Sequence, residues 1–333
     1  MAEKQLISVI MPAYNAGEFI EKAVESILTQ SYPYFELLIF EDCSTDNTFE
    51  ILQGIQDDRI RLFPSESNRG YLVHLNEGIE KSRGKYIARM DADDISAPNR
   101  FAEQVEFLEK NPVYGLCGCW FREFNGKKEF VKKPPVHHVD LELILLKKNP
   151  FCHSSVMLRK EVLVKQNLRY DLEYYTSEDY LLWSRLARVS CMHVIPKILH
   201  AYRYHQDNIS NRKRDQQRDL SKNIQLINLD RLGQDELNEE QRDIYLKLLW
   251  GKRLIVKEFS IADEMLNTLW ELNRQKKVFE RKGFERYISR LGQRLLVQAI
   301  KAEKYTETKV SKFHVYKMLP LHRKMFMNFN TKI

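Results

Sequence analysis

The chain has 333 residues, 43% hydrophobic and 30% charged, which excludes a disordered polypeptide and leaves room for one large domain with a smaller one, or for two ordinary domains. No apolar run approaches the roughly 20 residues that span a bilayer. Met1-Ala2-Glu3-Lys4-Gln5 leads into a strand-like run with no apolar signal region, so a cytoplasmic protein is expected, with the inner face of the membrane as the other site. The net charge of +7 is uneven: residues 212–333 carry 27 Lys and Arg against 16 Asp and Glu, and residues 1–211 carry 26 against 30, so the basic C-terminal third reads as a solvated helical surface or a face for an anionic partner such as phospholipid.

In chain order, Leu6 to Met11 is a short β-rich run that Pro12 is expected to end. Glu18 to Gln30 follows at helical period, with Ile20, Val24, Ile27 and Leu28 on one face. Phe35 to Phe40 is the second strand and runs into Glu41-Asp42-Cys43-Ser44-Thr45-Asp46, a polar turn with capping residues for a helix carrying Phe49, Leu52 and Ile55. Arg59 to Phe63 predicts a third strand, Gly70 to Ser82 a helix, and Lys85 to Met90 a fourth strand, followed at once by Asp91-Ala92-Asp93-Asp94. Such alternation predicts an α/β fold with a mostly parallel sheet and helices on both faces, whose ligands bind beyond the carboxyl ends of the strands. Three polar clusters occupy those ends: Pro12-Ala13-Tyr14-Asn15, Glu41-Asp42 and the aspartates at 91–94.

From about residue 101 the pattern is mixed. Helices are expected at Phe101–Lys110, 141–148 and 180–189, and strands at 115–123, 154–158 and 192–202. After Arg212 the chain reads as helix nearly throughout. A boundary near 210–214 divides it into residues 1–211 and a helical C-terminal region, 212–333. That region holds Trp250, Phe259, Trp270, Phe279, Phe284 and Tyr287 among many Lys and Arg. Such a mixture suits a packed helical appendage, a membrane interface or a homodimer contact, and the packed appendage is the preferred reading.

Four groups could carry chemistry. The aspartates at 91–94 are hard oxygen ligands suited to Mg²⁺ or Mn²⁺ beside substrate phosphates. Alone they also read as a solvated turn capping the helix near Ala97-Pro98-Asn99, and their place after a buried strand favours a ligand site. Asp42 reads equally as an acceptor from a nucleotide base or ribose and as a helix cap, a role Asp46 or Ser44 could fill instead. Glu178-Asp179, just before an amphipathic helix, suits a general base or simply a helix start. His205, in Tyr202-Arg203-Tyr204-His205, could ligate a metal or touch a phosphate, and His153 is similar; a lone histidine is more often a surface or packing residue.

Several alternatives are missing from the sequence. There is no GxGxxG after the first strand, no GxxxxGK[ST] loop, no HExxH and no GxSxG, and the basic C-terminal region has no recognisable nucleic-acid motif. Cys43, Cys117, Cys119, Cys152 and Cys191 form no CxxC pair and suggest neither a disulfide framework nor a zinc site.

Together, Val9 to Asn15, Glu41 to Thr48, Asn68-Arg69-Gly70, Gly84 to Asp94, Ser177-Glu178-Asp179-Tyr180 and Tyr202 to His205 resemble the inverting family-two glycosyltransferases of the GT-A fold, over roughly residues 5–210. The resemblance implies that Pro12, Ala13, Tyr14, Asn15 and Asp42 line the nucleotide, with Asn68 and Arg69 nearby. It implies Asp91-Ala92-Asp93 as a DxD element, with Asp93 the metal ligand proper, Asp91 shared with the ribose and Asp94 a support for the turn. It implies Asp179 as the general base and His205 as an assistant at the metal or diphosphate. The family usually has Ser or Gly where this chain has Cys43. The expected donor is a nucleotide sugar, with uridine diphosphate ahead of thymidine or guanosine carriers. The expected acceptor is a hydroxyl of a saccharide or lipid-linked saccharide in polysaccharide or glycoconjugate biosynthesis. Competing readings are a sugar nucleotidyltransferase, which would carry a Gly-rich loop where Pro12-Ala13-Tyr14-Asn15 stands, and a nucleotide-sugar-binding scaffold of a polysaccharide assembly, against which Asp93 and Asp179 argue.

Overall fold

The computed structural model describes residues 5–125, 128–204, 213–302 and 314. The chain divides into two compact units, Met1–Leu141 with Lys148–Ser221 and Glu142–Lys147 with Lys222–Ile333.

The first unit is built on one mixed sheet. Its strands are β1 (Ile7–Ala13), β2 (Phe35–Glu41), β3 (Ile60–Pro64), β4 (Tyr86–Arg89), β5 (Ile95–Ser96), β6 (Tyr114–Phe124), β7 (Glu129–Lys132), β8 (Met157–Arg159) and β9 (Cys191–Arg203). Spatial order is β3-β2-β1-β4-β8-β6-β9-β5, with β7 on β6. The β3-β2-β1-β4 half is parallel, as the alternation predicts. β8 then enters antiparallel between β4 and β6, while β9 returns parallel to β6.

Every residue of β1 and β2 is buried, as expected of strands covered on both faces. The polar exception in β1, Ser8, is satisfied: its Oγ donates to Glu36 Oε1 at 2.6 Å and accepts from the backbone N–H groups of Arg83 and Gly84. The first strand does not stop at Pro12. Ile10 O accepts from Met90 N and Ala13 O from Asp42 N, so Pro12 faces the β4 side, where strand pairing has already ended at Ile10 and no N–H is required.

Helices α1 (Ile20–Leu28), α2 (Thr48–Gly54), α3 (Tyr71–Lys81) and α4 (Arg100–Lys110) connect the strands. The apolar faces of α1 and α4 join one core with β1, β2 and β4. Further along lie α5 (His138–Leu145), α6 (Lys160–Lys165) and α7 (Glu178–Leu186). Sequence reading passes over β5, β7 and α6, which are two to six residues long and too short for a periodic pattern to register.

The second unit contains α9 (Glu239–Leu249), α10 (Glu258–Lys276) and α11 (Arg281–Lys301), with the end of α8 (Arg214–Leu229). Tyr245, Phe259, Leu266, Phe284, Ile288 and Leu295 belong to its own buried core. Residues 142–147 join this unit through apolar and polar contacts: Leu146 lies in its buried core with Leu143 packed against it, Gln225 and Asn228 side-chain amides donate to the carbonyls of Lys147 and Leu145, and Arg231 pairs with Glu142 at 2.6 Å. An Asn238–Gln241 capping box starts α9, and the Glu280 carboxylate accepts the first N–H groups of α11.

Candidate active site

The strand ends converge on one edge of the parallel half-sheet. Asp42, just beyond β2, is 3% exposed. Its Oδ1 accepts from Arg69 N and His74 Nε2, both at 2.7 Å, and its Oδ2 accepts from Gly70 N at 2.8 Å. Asp42 therefore pins the 69–70 turn ahead of α3 rather than capping the helix that starts at Thr48. Asp46 takes the capping role, accepting from Thr48 N at 3.0 Å and from Gly17 N at 2.9 Å. Gly70 has φ +85, a conformation that L side chains rarely adopt. Cys43 stands at φ +59, a left-handed conformation that glycine adopts with less strain than a residue bearing a side chain. Asn15 Oδ1 accepts from Thr45 N at 2.8 Å, bracing the β1 and β2 loops together. Pro12 and Ala13 are buried beneath this surface, while Tyr14, Asn68 and Arg69 are exposed on it. Arg69 pairs with Glu77 at 2.8 Å.

Past β4, the turn at 91–94 brings carboxylate oxygens of Asp91, Asp93 and Asp94 within 4.8 Å of one another. Such a set of hard oxygen donors fits a small divalent cation. The three do not share one role. Asp94 is fully buried and accepts from Ser154 Oγ and His200 Nε2 on Oδ2, and from Arg203 N on Oδ1 at 2.7 Å. Burial and the neighbouring Asp91 raise its pKa. His200 is held neutral by burial and by Arg100. Arg100 Nη1 lies 3.2 Å from His200 Nδ1, so Nδ1 is the acceptor and Nε2 carries the proton donated to Asp94. Arg203 Nε also donates to the Asp93 carbonyl at 2.8 Å. The short strand β5 pairs with β9 at His200 and Ala201, closing the frame. Asp94 thus anchors the turn, while the half-buried Asp91 and Asp93 remain nearer its surface.

Glu178 and Asp179 open α7, where the helix dipole favours carboxylates. Asp179 Oδ2 accepts from Asn149 Nδ2 at 2.5 Å. Burial pushes its carboxyl up to about 6, against the lowering hydrogen bonds from Tyr180 N and Asn149. Burial and the adjacent Asp179 push Glu178 higher, to about 8. His153 Nδ1 lies 3.5 Å from Glu178 Oε1, and its Nε2 is 2.9 Å from the Tyr170 hydroxyl. Burial and Arg89 keep His153 neutral.

Arg89, the last residue of β4, connects the two acidic groups. Its guanidinium is buried and ion-paired with Asp91. Burial is the largest single influence and works against its charge, but the field and hydrogen bond of Asp91, joined by Tyr170 and Asp94, together raise its pKa. The same guanidinium stabilises the charged forms of Glu178 and Asp179. Tyr170 is within electrostatic reach of Arg89, Asp179, Glu178 and Asp91. Sequence reading does not single out Arg89, Asn149, Tyr170, His200 or Arg100. Only Arg89 leaves a linear signal: a charge in the otherwise apolar run Tyr86-Ile87-Ala88-Arg89-Met90. His205 lies outside the described residues.

Comparison with known proteins agrees with this geometry. The family model Glycosyl transferase family 2 matches residues 8–167. An uncharacterized glycosyltransferase of Haemophilus influenzae is 33% identical over 237 residues, covering 67% of this chain and 73% of that protein. The UDP-Glc:alpha-D-GlcNAc-diphosphoundecaprenol beta-1,3-glucosyltransferase WfgD of Escherichia coli is 30% identical over 215 residues, 62% of this chain and 81% of that one. Among solved structures, S. aureus TarS 1-349 in complex with UDP-GlcNAc superposes with a TM-score of 0.59 at 18% identity, covering 93% of this chain and 91% of that one. The mannosyltransferase PcManGT of Pyrobaculum calidifontis in complex with GDP-Man and Mn²⁺ gives 0.53 at 15% identity, covering 91% and 89%. The fold is the GT-A α/β fold, a sheet of largely parallel strands that carries an acidic turn at a strand end. The chain belongs to glycosyl transferase family 2, and its activity is that of a glycosyltransferase.

Proposed function

We propose that the protein transfers a sugar, with inversion, from a uridine-diphosphate donor to a hydroxyl of a saccharide or lipid-linked saccharide acceptor in polysaccharide or glycoconjugate assembly. The observation that carries this reading is Arg89, whose charge reaches both the acidic turn at 91–94 and the carboxylate pair at 178–179. The acidic turn and the buried carboxylate pair thus share one electrostatic neighbour, which supports reading them as diphosphate edge and base. The choice of carrier draws on WfgD, named for UDP-Glc, and on TarS, solved with UDP-GlcNAc.

In this reading Pro12, Ala13, Tyr14, Asn15, Asp42, Asn68 and Arg69 line the base and ribose, and Asp91-Ala92 flanks the ribose and diphosphate. Asp93 and Asp91 hold Mg²⁺ or Mn²⁺, with His205 assisting. The donor set is the support for a metal, and a bound divalent ion supplies positive charge beside the departing diphosphate. Asp179 takes the acceptor hydroxyl proton. Burial raises its pKa, which makes the carboxylate a stronger base than an exposed aspartate. Attack from the base side with departure on the opposite side inverts the anomeric centre. Residues 1–211 are taken as the transferase domain and 212–333 as a helical region.

A donor panel that reads free nucleoside diphosphate tests the proposal. UDP-sugars should turn over, EDTA should abolish turnover, and Mg²⁺ or Mn²⁺ should restore it. Asp179→Asn should bind donor as the wild type does and fail to transfer. Wild-type transfer by that variant would remove Asp179 from its role, and turnover that survives chelation would remove the metal.

A further inference from the structure

The eight residues between α9 and α10, Trp250-Gly251-Lys252-Arg253-Leu254-Ile255-Val256-Lys257, contain three cations and no carboxylate. They form a built loop rather than a loose one. Gly251, at φ +68, turns the chain out of α9, and Lys252 N donates to Lys247 O at 2.8 Å. Gln298 of α11 clamps the middle, donating to Lys252 O at 3.0 Å and accepting from Leu254 N at 2.7 Å. Leu254, 3% exposed, plugs into the helical core. Glu258 Oε2 accepts from Ile255 N at 2.9 Å, and its other oxygen binds Lys247.

The result of this anchoring is an outward display of opposite chemistries. Ile255 is 56% exposed and Val256 38%, next to each other, with Trp250 also 38% exposed. Lys252, Arg253 and Lys257 around them are exposed, and none pairs with a carboxylate among the described residues. Two adjacent aliphatic side chains exposed on a fixed backbone offer a small apolar surface for contact. The cations decide its kind. A second copy would bring the same three charges, from a region with 27 basic and 16 acidic residues, against these three. An anionic phospholipid surface complements them: aliphatic side chains enter the acyl boundary, Lys and Arg lie at the phosphates, and tryptophan suits the interface between.

We propose that the loop at 250–257 seats this protein on anionic phospholipid bilayers, with Ile255 and Val256 inserted and Lys252, Arg253 and Lys257 against the phosphates. The seat goes beyond the transfer reaction and stands or falls without it. The test is co-sedimentation of the full chain with phosphatidylcholine vesicles, with and without phosphatidylglycerol. Wild type should bind only the anionic vesicles and be released by salt. The triple variant Lys252→Gln/Arg253→Gln/Lys257→Gln should bind about 100-fold more weakly, each cation near the surface contributing roughly fivefold. Ile255→Ser/Val256→Ser should weaken binding on the order of tenfold. Both variants should keep the wild-type melting temperature and the wild-type rate of donor hydrolysis in the absence of vesicles, which separates loss of the seat from loss of the fold or of the catalytic site. Equal binding by the triple variant and wild type, no binding of wild type to anionic vesicles, or a vesicle-independent dimer abolished by the aliphatic variant would each overturn the proposal.

Discussion

The Asn149 side-chain amide donates to Asp179 Oδ2 at 2.5 Å, and Asn149 is itself held by Phe151 N, which donates to its Oδ1 at 3.0 Å. The amide fixes one carboxylate oxygen and lowers a pKa that burial would otherwise push further up. Asn149→Ala removes that restraint. The acidic limb of the pH–rate profile should move to higher pH, and kcat at neutral pH should fall roughly 10- to 100-fold, the equivalent of a hydrogen bond to a charged group worth about 1.5–3 kcal/mol. Donor KM should hold. Initial rates between pH 5 and 9 check it, and an unmoved acidic limb would show that Asn149 does not govern the base.

Glu178 gives a stability prediction with a definite sign. Its folded pKa, about 8, lies above the ordinary glutamate value because burial and Asp179 disfavour its charge. Folding therefore favours the protonated form. The stability this contributes is fully present below the unfolded pKa of about 4.3 and is lost as pH rises through the folded value. Between pH 5 and 8 this one group's contribution should fall by at least about 1.4 kcal/mol, the equivalent of one pKa unit, and Glu178→Gln should remove that part of the wild-type slope. Urea titrations at the two pH values measure it, and parallel slopes would refute it.

The Asp94 anchor predicts a loss that does not involve bond-making. His200→Phe deletes the Nε2–H donated to Asp94 and leaves Arg100 Nη1 without its Nδ1 acceptor. Stability should fall by roughly 1–3 kcal/mol, the cost of leaving buried polar groups short of a partner. Ser154→Ala should act on the same carboxylate, so the two substitutions should be non-additive in a double-mutant cycle.

Gly70→Ala probes the turn that Asp42 pins. At φ +85 an L side chain is strained, and the substitution should cost roughly 1–3 kcal/mol. It should also weaken nucleoside diphosphate affinity, because the Arg69 and Gly70 N–H groups must shift together against Asp42. Calorimetric titration with UDP reads the second effect, and unchanged affinity would place the turn outside the nucleotide site.

Much of the parallel half-sheet is legible in the linear pattern. β1 and β2 are continuous apolar runs because both their faces are covered, and α1, α3 and α4 show a 3.6-residue period because only one side is. The order of the motifs is legible too, which is why the family resemblance is recognisable before any geometry. What is not legible is short or long-range. β5 is two residues long, yet it closes the aspartate frame. The end of β1 is misread because Pro12 loses nothing where β4 has already stopped pairing.

Taken by itself, the sequence determined the alternation of strand and helix, the acidic turn that follows β4, the carboxylate pair that opens α7, and the basic character of the last third. Each is a local property: an apolar period, a capping preference or a count of charges. Only the tertiary structure decided that Arg89 answers to both acidic groups, that Asn149 orients Asp179 across 30 residues, and that His200 reaches Asp94 across 106. It also assigned the three aspartates different environments. Hydrogen bonds and desolvation act over a few ångströms of space, and a one-dimensional pattern carries no record of which distant residues the folded chain brings within that range.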